Sequence, residues 1–310
     1  MTTYIEDEVK TLRSYIFNSN PLEYIKKVKE IEDKIFDGEC EAKDNKNEDL
    51  SDYEYFTQFK EVKIAQLEDN MFFRCIDNIK KAFNKNPDNT SENISTWEFY
   101  EDDSKTITTV GKINIYCSLK KILLVYLDLN NLNNILKDKI GSSIIIKNLS
   151  PFKSIVSSHL KMPFPYKDRY SVTLGNTFLD YDNKTIYLFS KSITPIEIEE
   201  LFDIKDLKIK DSSGNHVNYE DADIIDLKFN YISIKKVSTN SFELYLGTNA
   251  NANLTGIPHL VANKIIKEIA KSTSLEFKKI MEDKSNDYLF EDYYTNNKNF
   301  FDNILAEFDF

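Results

Sequence analysis

The order of the predicted elements indicates an α+β fold rather than an alternating βαβ chain. Three observations carry this prediction. Apolar residues recur with helical spacing up to about residue 84, alternate with polar residues over 96–250, and return to helical spacing over 257–283. The strands therefore form one run that looks antiparallel, and a long helix follows them. We expect a curved sheet with that helix laid over its open face, which would enclose a cavity.

The N-terminal part of the chain predicts helices. One face of a first helix is formed by Ile5, Val9, Leu12 and Ile16. Asn20 is a typical N-cap residue, and Pro21 at the first helical position favours a second helix to about residue 36. The charged segment 37–50 predicts a loop, and a long helix is expected over 51–84.

The middle of the chain predicts strands, interrupted by a helix over 118–139 that begins after the N-cap candidate Ser118. Thr194 and Pro195 open a second, short helix. The strand segments are rich in β-branched and aromatic residues and are bounded by turn residues. They are 96–101, 105–117, 143–148, 152–161, 169–181, 183–192, 222–237 and 240–250.

The tail at 284–310 is rich in aromatic residues. It contains eight Phe and Tyr residues, and Phe300, Ile304 and Phe308 share one helical face. Because apolar surface of this kind is rarely left in water, we expect the tail to dock on the domain, against the N-terminal helices. Binding to a protein partner is the alternative.

Charge is distributed unevenly along the sequence. The chain of 310 residues has a formal net charge of −11, yet residues 104–170 contain 11 basic and 3 acidic side chains. Such a basic block is either a solvated lysine surface or a face attracted to anionic lipid, at roughly 1 kcal/mol per well-placed basic side chain. The acidic balance of the whole chain excludes a general nucleic-acid binder.

Several enzyme and cofactor classes lack their residues here. Neither G-x-G-x-x-G nor G-x-x-x-x-G-K-[ST] is present, so the usual phosphate-binding loops are missing. His159, His216 and His259 are far apart in sequence and form no metalloprotease motif, and the 3 cysteines lack zinc-site spacing. We therefore expect no enzyme activity, no cofactor and no metal. The first residues carry no secretory signal, which predicts a cytoplasmic protein.

Two motifs carry a resemblance to a known family. Residues 162–174, Met-Pro-Phe-Pro-Tyr-Lys-Asp-Arg-Tyr-Ser-Val-Thr-Leu, resemble the proline-containing loop and following strand of START (StAR-related lipid-transfer) domains. Residues 256–263, Gly-Ile-Pro-His-Leu-Val-Ala-Asn, resemble the G-x-[IL]-P-x-x-[VI]-x-N start of the final helix in that family. The family usually has Asp after the motif Arg, whereas this chain has Asp168 before Arg169. Where some sterol-binding members have a further Arg, this chain has Gly175 or Leu174.

The resemblance implies a helix-grip fold, in which a curved antiparallel sheet wraps a long C-terminal helix and one lipid lies between them. It covers about 50–283, the expected lipid-binding domain. Residues 1–49 are then an N-terminal helical extension, and 284–310 are an acidic, aromatic C-terminal helical tail. The implied ligand is a phospholipid, a sterol or a related lipid, moved between membranes by a peripheral protein. Either added helical part is a candidate for binding a protein partner.

The resemblance also assigns candidate site residues. The matching gate of the family's cavity contains Pro163, Phe164, Pro165, Tyr166, Ile257 and Pro258. Phe164 and Tyr166 belong to the residue types favoured at a membrane interface. His159 and Thr173 are further candidates for polar contacts to the ligand. The expected lipid-binding residues are Arg169, Tyr170, Val172, Leu174, Val261, Ile265 and Ile269.

Two other functions stay open from the sequence. A filled, ligand-free domain would be a protein-interaction module, and bulky residues at every inward position would favour it. An enzyme on a related fold would place two titratable groups with shifted pKa values inside the pocket. An internal cavity favours the lipid carrier over the filled module.

Overall fold

The structure is a computed structural model that describes residues 3–41, 50–90, 94–100, 106–136, 142–162, 167–205, 207, 209–210, 215–251 and 258–308. It confirms the α+β class and the helix-grip arrangement of a sheet around a long C-terminal helix. The expected gate residues Pro163, Phe164, Pro165, Tyr166 and Ile257 lie outside the described residues.

Helices flank the strands on both sides in sequence, as the hydrophobic spacing predicts. Four α-helices of the described ranges precede the main strands, three interrupt them and three follow. The helices are α1 (Ile5–Asn18), α2 (Pro21–Phe36), α3 (Asp52–Phe56), α4 (Lys60–Phe83), α5 (Leu119–Leu127), α6 (Leu129–Leu136), α7 (Pro195–Phe202), α8 (His259–Glu282), α9 (Glu291–Asn296) and α10 (Lys298–Phe308).

A nine-stranded antiparallel sheet forms the centre of the described part of the chain, in the spatial order β3-β4-β5-β13-β12-β9-β8-β7-β6. Two further strand pairs, β1 with β2 and β10 with β11, lie outside it. The strands are β1 (Thr3–Tyr4), β2 (Cys40–Glu41), β3 (Asn89–Thr90), β4 (Ser95–Tyr100), β5 (Ile107–Ile115), β6 (Ser142–Ser150), β7 (Lys153–Leu160), β8 (Arg169–Asp180), β9 (Thr185–Ser192), β10 (Ile209–Lys210), β11 (His216–Val217), β12 (Asp226–Ser238) and β13 (Ser241–Asn251).

Helix starts follow the predicted capping residues. The side chain of Asn20 accepts a hydrogen bond from the backbone N–H of Leu22, and that of Ser118 accepts one from Lys121. Two predicted helices are each divided in the structure. The helix expected over 51–84 is two helices, α3 and α4, and the one expected over 118–139 breaks at Asp128 into α5 and α6.

The outer face of the sheet, defined here as the face under α2 and α4, is covered by an aromatic layer. Side chains alternate between the two faces of a strand, so every second residue of the central strands points this way. The layer packs against Ile25, Met71 and Cys75. Its members are Phe178, Tyr187, Phe189, Phe229 and Tyr231.

A buried ion pair connects β7 to α4. Nζ of Lys153 lies 2.8 Å from Oε1 of Glu68, and both side chains are 0% exposed. Lys153 also donates a hydrogen bond of 2.8 Å to the backbone oxygen of Ile16 on α1. Burial raises the pKa of Glu68, while the lysine opposes that shift. One cation thus joins two helices to the sheet.

The inner face of the sheet, which faces α5, α8 and the tail, is divided into two halves. In the packed half, bulky side chains of the central strands meet Ile122 of α5 and Phe301 and Ile304 of α10. The hollow half lies under α8 and is described below. The strand residues of the packed half include Leu179, Ile186, Ile234, Phe242 and Leu244.

The C-terminal tail docks on the domain, but on α5 and the packed half rather than on the N-terminal helices. Nζ of Lys121 lies 2.6 Å from Oδ1 of Asp287, and Nδ2 of Asn131 donates to the backbone oxygen of Leu289 at 2.5 Å. The N-terminal helices form a separate core with α4. The domain boundaries at residues 49 and 283 remain predictions.

Within the described ranges, no helix is both long and apolar enough to cross a bilayer.

Candidate functional site

A cavity of about 370 Å³ lies between α8 and the hollow half of the sheet. This volume is within the usual range for small-molecule sites, about 300–1,000 Å³. The cavity exists because both of its walls carry small residues where the packed half carries large ones.

Hydroxyl side chains line the floor of the cavity. Ser143, Ser158 and Ser171 are neighbours across β6, β7 and β8, and the hydroxyl oxygens of Ser143 and Ser158 are 2.7 Å apart. Further short polar residues of the lining are Thr173 on β8, Ser190 on β9, Asn230 on β12 and Thr248 on β13. These side chains are short, so they leave space above the sheet.

Helix α8 presents small residues to the same space. Ile266 and Phe277 lie at the two ends of its cavity-lining stretch, and Ala270, Thr273 and Ser274 lie between them. The spacing of these residues is that of one helical face. The hydroxyl of Ser274 donates to the backbone oxygen of Ala270 at 2.8 Å, so its polarity is satisfied within the helix.

Apolar side chains complete the wall of the cavity. They come from the strands β7, β12 and β13 and from the segments that precede β4 and β12. The apolar lining residues of the sheet side are Ile94, Leu160, Ile225, Leu227, Ile232, Leu246 and Ala250. The site therefore combines apolar walls with a polar floor.

Two polar atoms of the lining are buried without a hydrogen-bond partner among the described residues, Oγ1 of Thr96 and the hydroxyl of Tyr126. Tyr126 packs its ring against Phe277, with centroids 4.7 Å apart. Burial raises the pKa of Tyr126, so its hydroxyl stays protonated. Buried polar groups are normally paired, so these two hydroxyls are positions where a bound molecule would make hydrogen bonds.

His159 points away from the cavity floor, because its neighbour Ser158 takes the cavity side of β7. Its Nε2 lies 2.9 Å from Oδ2 of Asp168, and the ring of Tyr170 packs on the imidazole with centroids 5.1 Å apart. Oδ1 of Asp168 accepts a hydrogen bond of 3.1 Å from the backbone N–H of Met162. The carboxylate thus joins the two described ends of the chain on either side of residues 163–166.

Much of the basic block is neutralised by acidic residues from other parts of the chain. Lys112 pairs with Glu243, and Lys120 pairs with Glu291 at 3.1 Å. Lys121, Lys153 and Arg169 pair with Asp287, Glu68 and Asp223. Among the described residues of the block, these five basic side chains are therefore not free to face an anionic surface.

The sequence-predicted lipid-binding residues fall into three groups. Ile269 lines the cavity, whereas the ring of Tyr170 packs in the outer cluster with Val172 and Leu174. Val172 and Leu174 lie on the outer face, in a cluster with Ile198 of α7, because their neighbours Ser171 and Thr173 take the cavity side. On β8, the cavity side is thus taken by Ser171 and Thr173, each one residue before the predicted Val172 and Leu174.

The remaining candidates lie around the cavity rather than in it. Arg169 is paired with Asp223 at 3.3 Å. Ile265 packs in an apolar cluster with Met162 beside the cavity. Val261 is 43% exposed, which corrects its expected place on the inward face of the helix, and Pro258 is exposed just before α8.

Sequence reasoning missed most of the polar lining. Thr173, a sequence-predicted candidate, does line the cavity, and Ser171 occupies the alternate position of the same predicted strand, which is a signal that the sequence contained. Tyr126 and Thr96 gave no such signal, because their approach to α8 depends on the tertiary fold. Among the described residues, no group of three or more potential metal ligands is present.

No protein-family model and no curated protein matches the sequence. Solved structures do match the fold. Human STARD10 is similar over 73% of this chain and 81% of that chain, with a TM-score of 0.52 and 11% identity. Human StAR-related lipid transfer protein 5 is similar over 70% of this chain and 95% of that chain, with a TM-score of 0.54 and 8% identity. The chain thus has a START-like fold, as its two motifs indicated.

Proposed function

We propose that this chain uses its START-like fold to hold one lipid in the cavity under α8 and to carry it between membranes without chemistry. The single observation that carries the proposal is the cavity in the hollow half of the inner face. It has apolar walls and buried polar atoms without hydrogen-bond partners among the described residues. Shielding apolar surface from water is worth roughly 25 cal/mol per Å², so apolar walls around a lipid are sufficient for the task.

The cavity argues against a filled interaction module. Such a module would need bulky side chains at the inward positions of α8, where Ala270 and Ser274 lie instead. The likeness to a protein named for lipid transfer supports the same choice. Binding of a protein partner through the N- or C-terminal helices remains a separate proposal.

The test of the proposal is extraction of a lipid from membranes. The purified full chain is incubated with phosphatidylcholine vesicles that also contain a sterol and diacylglycerol, and is then weighed by native mass spectrometry. We expect one added lipid per chain, recovered with an unchanged mass. No added mass with any component would overturn the carrier, and a lipid of altered mass would overturn the absence of chemistry.

A matched pair of variants on α8 locates the lipid. Ser274→Phe places a ring in the cavity, whereas Ser272→Phe adds the same ring to an exposed position on the same helix. We expect Ser274→Phe to lose most lipid uptake and Ser272→Phe to keep it. Equal uptake by the two variants would place the lipid elsewhere.

We also propose that the protein is cytoplasmic and meets membranes peripherally through the sequence-predicted gate at 163–166 and 257–258. The motif resemblance and the aromatic residues of the gate support this. Phe164→Asp should slow transfer between vesicles about 10-fold, since a charge is poorly tolerated in the interface. Phe73→Asp, at an exposed position of α4, is the matched control. Equal transfer rates for the two variants would refute the gate.

A further inference from the structure

We infer that the ligand of this cavity is a lipid whose head group carries an anionic phosphate or carboxylate, and that Lys271 of α8 and Thr96 of β4 bind this group between them. The inference rests on the proposed function and names the ligand class of the same site. Phospholipids and fatty acids share this chemistry, whereas sterols and diacylglycerols do not.

A stripe of lysines runs along one side of α8. Lys267, Lys271 and Lys278 belong to it, because their spacing returns to the same side of a helix. Lys267 is paired with Glu98 of β4. Nζ of Lys278 donates a hydrogen bond of 2.5 Å to the backbone oxygen of Asn114 on β5. This side of α8 therefore faces β4 and β5.

Thr96 is the strand residue opposite Lys271. Lys271 lies one turn of helix beyond Lys267, and the rise of about 6 Å between them equals roughly two residues of a strand. The residue two positions from Glu98 on β4, in the direction of the Lys278 contact, is Thr96. Lys271 and Thr96 both line the cavity, as this placement requires.

Both of these side chains have unmet donors. Thr96 is 5% exposed, and its Oγ1 has no hydrogen-bond partner among the described residues. Its side chain takes the cavity face, because its neighbour Trp97 packs in a cluster with Ala82 of α4 on the outer face. Within the described part of the chain, Lys271 makes no ion pair and no hydrogen bond, unlike Lys267. An ammonium group can only donate, so an anionic acceptor is the partner that satisfies it best.

This end of the cavity is open enough for a charged head group. Asn89 of β3 is paired with Thr96, lines the cavity and is exposed, and Lys271 itself is half-buried. A head group here keeps part of its hydration, so the high cost of burying a charge is avoided. Glu268, the acidic residue of the described lining, is exposed and forms no ion pair with Lys271. The charge of Lys271 is therefore available to a ligand.

The sheet next to Thr96 offers an apolar surface for the chain of the lipid. Across the strands, Thr96 is paired with Gly111, Gly111 with Leu246, and Leu246 with Ile232. All four residues line the cavity. Since paired residues share one face of the sheet, a chain attached to a head group at Thr96 would lie on Leu246 and Ile232.

The experiment compares ligands with the same chain and different head groups. Oleyl phosphate, oleic acid and oleyl alcohol are titrated into the full chain, and each Kd is measured by displacement of Nile red, an uncharged dye. We expect the two anionic ligands to bind about 10-fold more tightly than the alcohol, as a charge-assisted hydrogen bond allows. Added NaCl should reduce this preference, because salt screens a half-buried charge. Of the vesicle components named above, phosphatidylcholine is the expected cargo.

A matched pair of lysine variants assigns the preference to Lys271. Lys271→Met should reduce the ratio of the alcohol and phosphate Kd values to about 1, and Lys271→Arg should keep it high. Lys264→Met removes the same charge from an exposed position of α8 outside the lining, so it should leave the ratio unchanged. Thr96→Val removes only the hydroxyl, and we expect it to weaken the two anionic ligands about 5-fold.

The outcomes for the head group and for the carrier differ. Equal binding of the alcohol and the anionic ligands, or extraction of only the sterol or diacylglycerol from vesicles, overturns the inference and leaves the carrier intact. No binding by any of the three ligands, together with no lipid taken from vesicles, overturns both. The same loss of preference in Lys271→Met and Lys264→Met would show a general effect of net charge and overturn the role of Lys271.

Discussion

The packed half and the hollow half of the inner face belong to the same strands, yet the first is filled by side chains and the second leaves a cavity. On β13, Leu244 is buried against α5 and the tail, and Leu246, two residues along on the same face, borders the cavity. Alternation along a strand decides which face a side chain takes. Side-chain volume on the sheet and on the covering helix then decides whether that face is filled. A binding site can therefore arise where a core simply stops being filled.

The largest expected effect is at the buried ion pair between β7 and α4, on the face of the sheet opposite the two halves. Lys153→Met leaves the carboxylate of Glu68 buried without a cation, which should cost about 3–5 kcal/mol in the free energy of unfolding. Chemical denaturation measures it. Lys147→Met, at an exposed position of the neighbouring strand β6, is the control and should change little. A small effect of Lys153→Met would mean that water or a rearrangement satisfies Glu68.

The stability cost of Lys153→Met should also depend on pH, in a direction that follows from the pKa of Glu68. Burial raises the pKa of Glu68, so the folded state holds its proton above the ordinary value of 4.5, where the unfolded state has lost it. Stability from this group is thus present below that value and falls as the pH rises. We expect the loss caused by Lys153→Met to be smaller near pH 4 than near pH 7. A loss independent of pH would show that Glu68 does not become the uncompensated charge.

The next effect sharpens the comparison between the two halves. Leu244→Ala opens a void in the packed half and should cost about 2–5 kcal/mol. Leu246→Ala enlarges a space that is already open, so we expect it to cost about 1–2 kcal/mol less than Leu244→Ala. Thermal and urea unfolding of both variants measure the difference. Equal costs would indicate that the hollow half is filled in solution.

The smallest effect concerns the outer face beneath the cavity. A Cβ atom at Gly247 would lie 2.1 Å from the ring of buried Tyr231, so Gly247→Ala should cost about 1–3 kcal/mol by overpacking. At Gly175 the nearest atom, Oγ of Ser154, would be 3.4 Å away, so Gly175→Ala is the matched control. Similar stabilities of the two variants would contradict the tight fit of the aromatic layer.

The fold was largely predictable because its signals are local. Asn20 and Ser118 cap helices by their own side chains, and apolar alternation marks each strand whatever the neighbouring strand is. The break at Asp128 was not predicted, since the residues on both sides of it suit a helix equally well. The docking position of the tail was not predicted either, because it depends on Asp287 meeting Lys121, far away in sequence.

The candidate site was less predictable, for a physical reason. Sequence reasoning assigned the apolar residues Val172 and Leu174 to the lipid, because lipids are apolar. In the structure those side chains fill the outer cluster, and the shorter Ser171 and Thr173 border the space. Ser171 and Thr173 contribute to the cavity through their small size. Small residues occur throughout a sequence, so their size alone does not reveal a site.

The hydroxyl floor of the cavity also has a consequence for the empty protein. An apolar void stays dry, whereas a polar one can be wetted by water molecules that bond to two or more groups. Ser143, Ser158 and Ser171 offer such groups side by side. Water could replace a departing lipid on this floor without collapse of the sheet onto α8. If the proposed carrier function is right, the protein can release its lipid and still be ready to bind another.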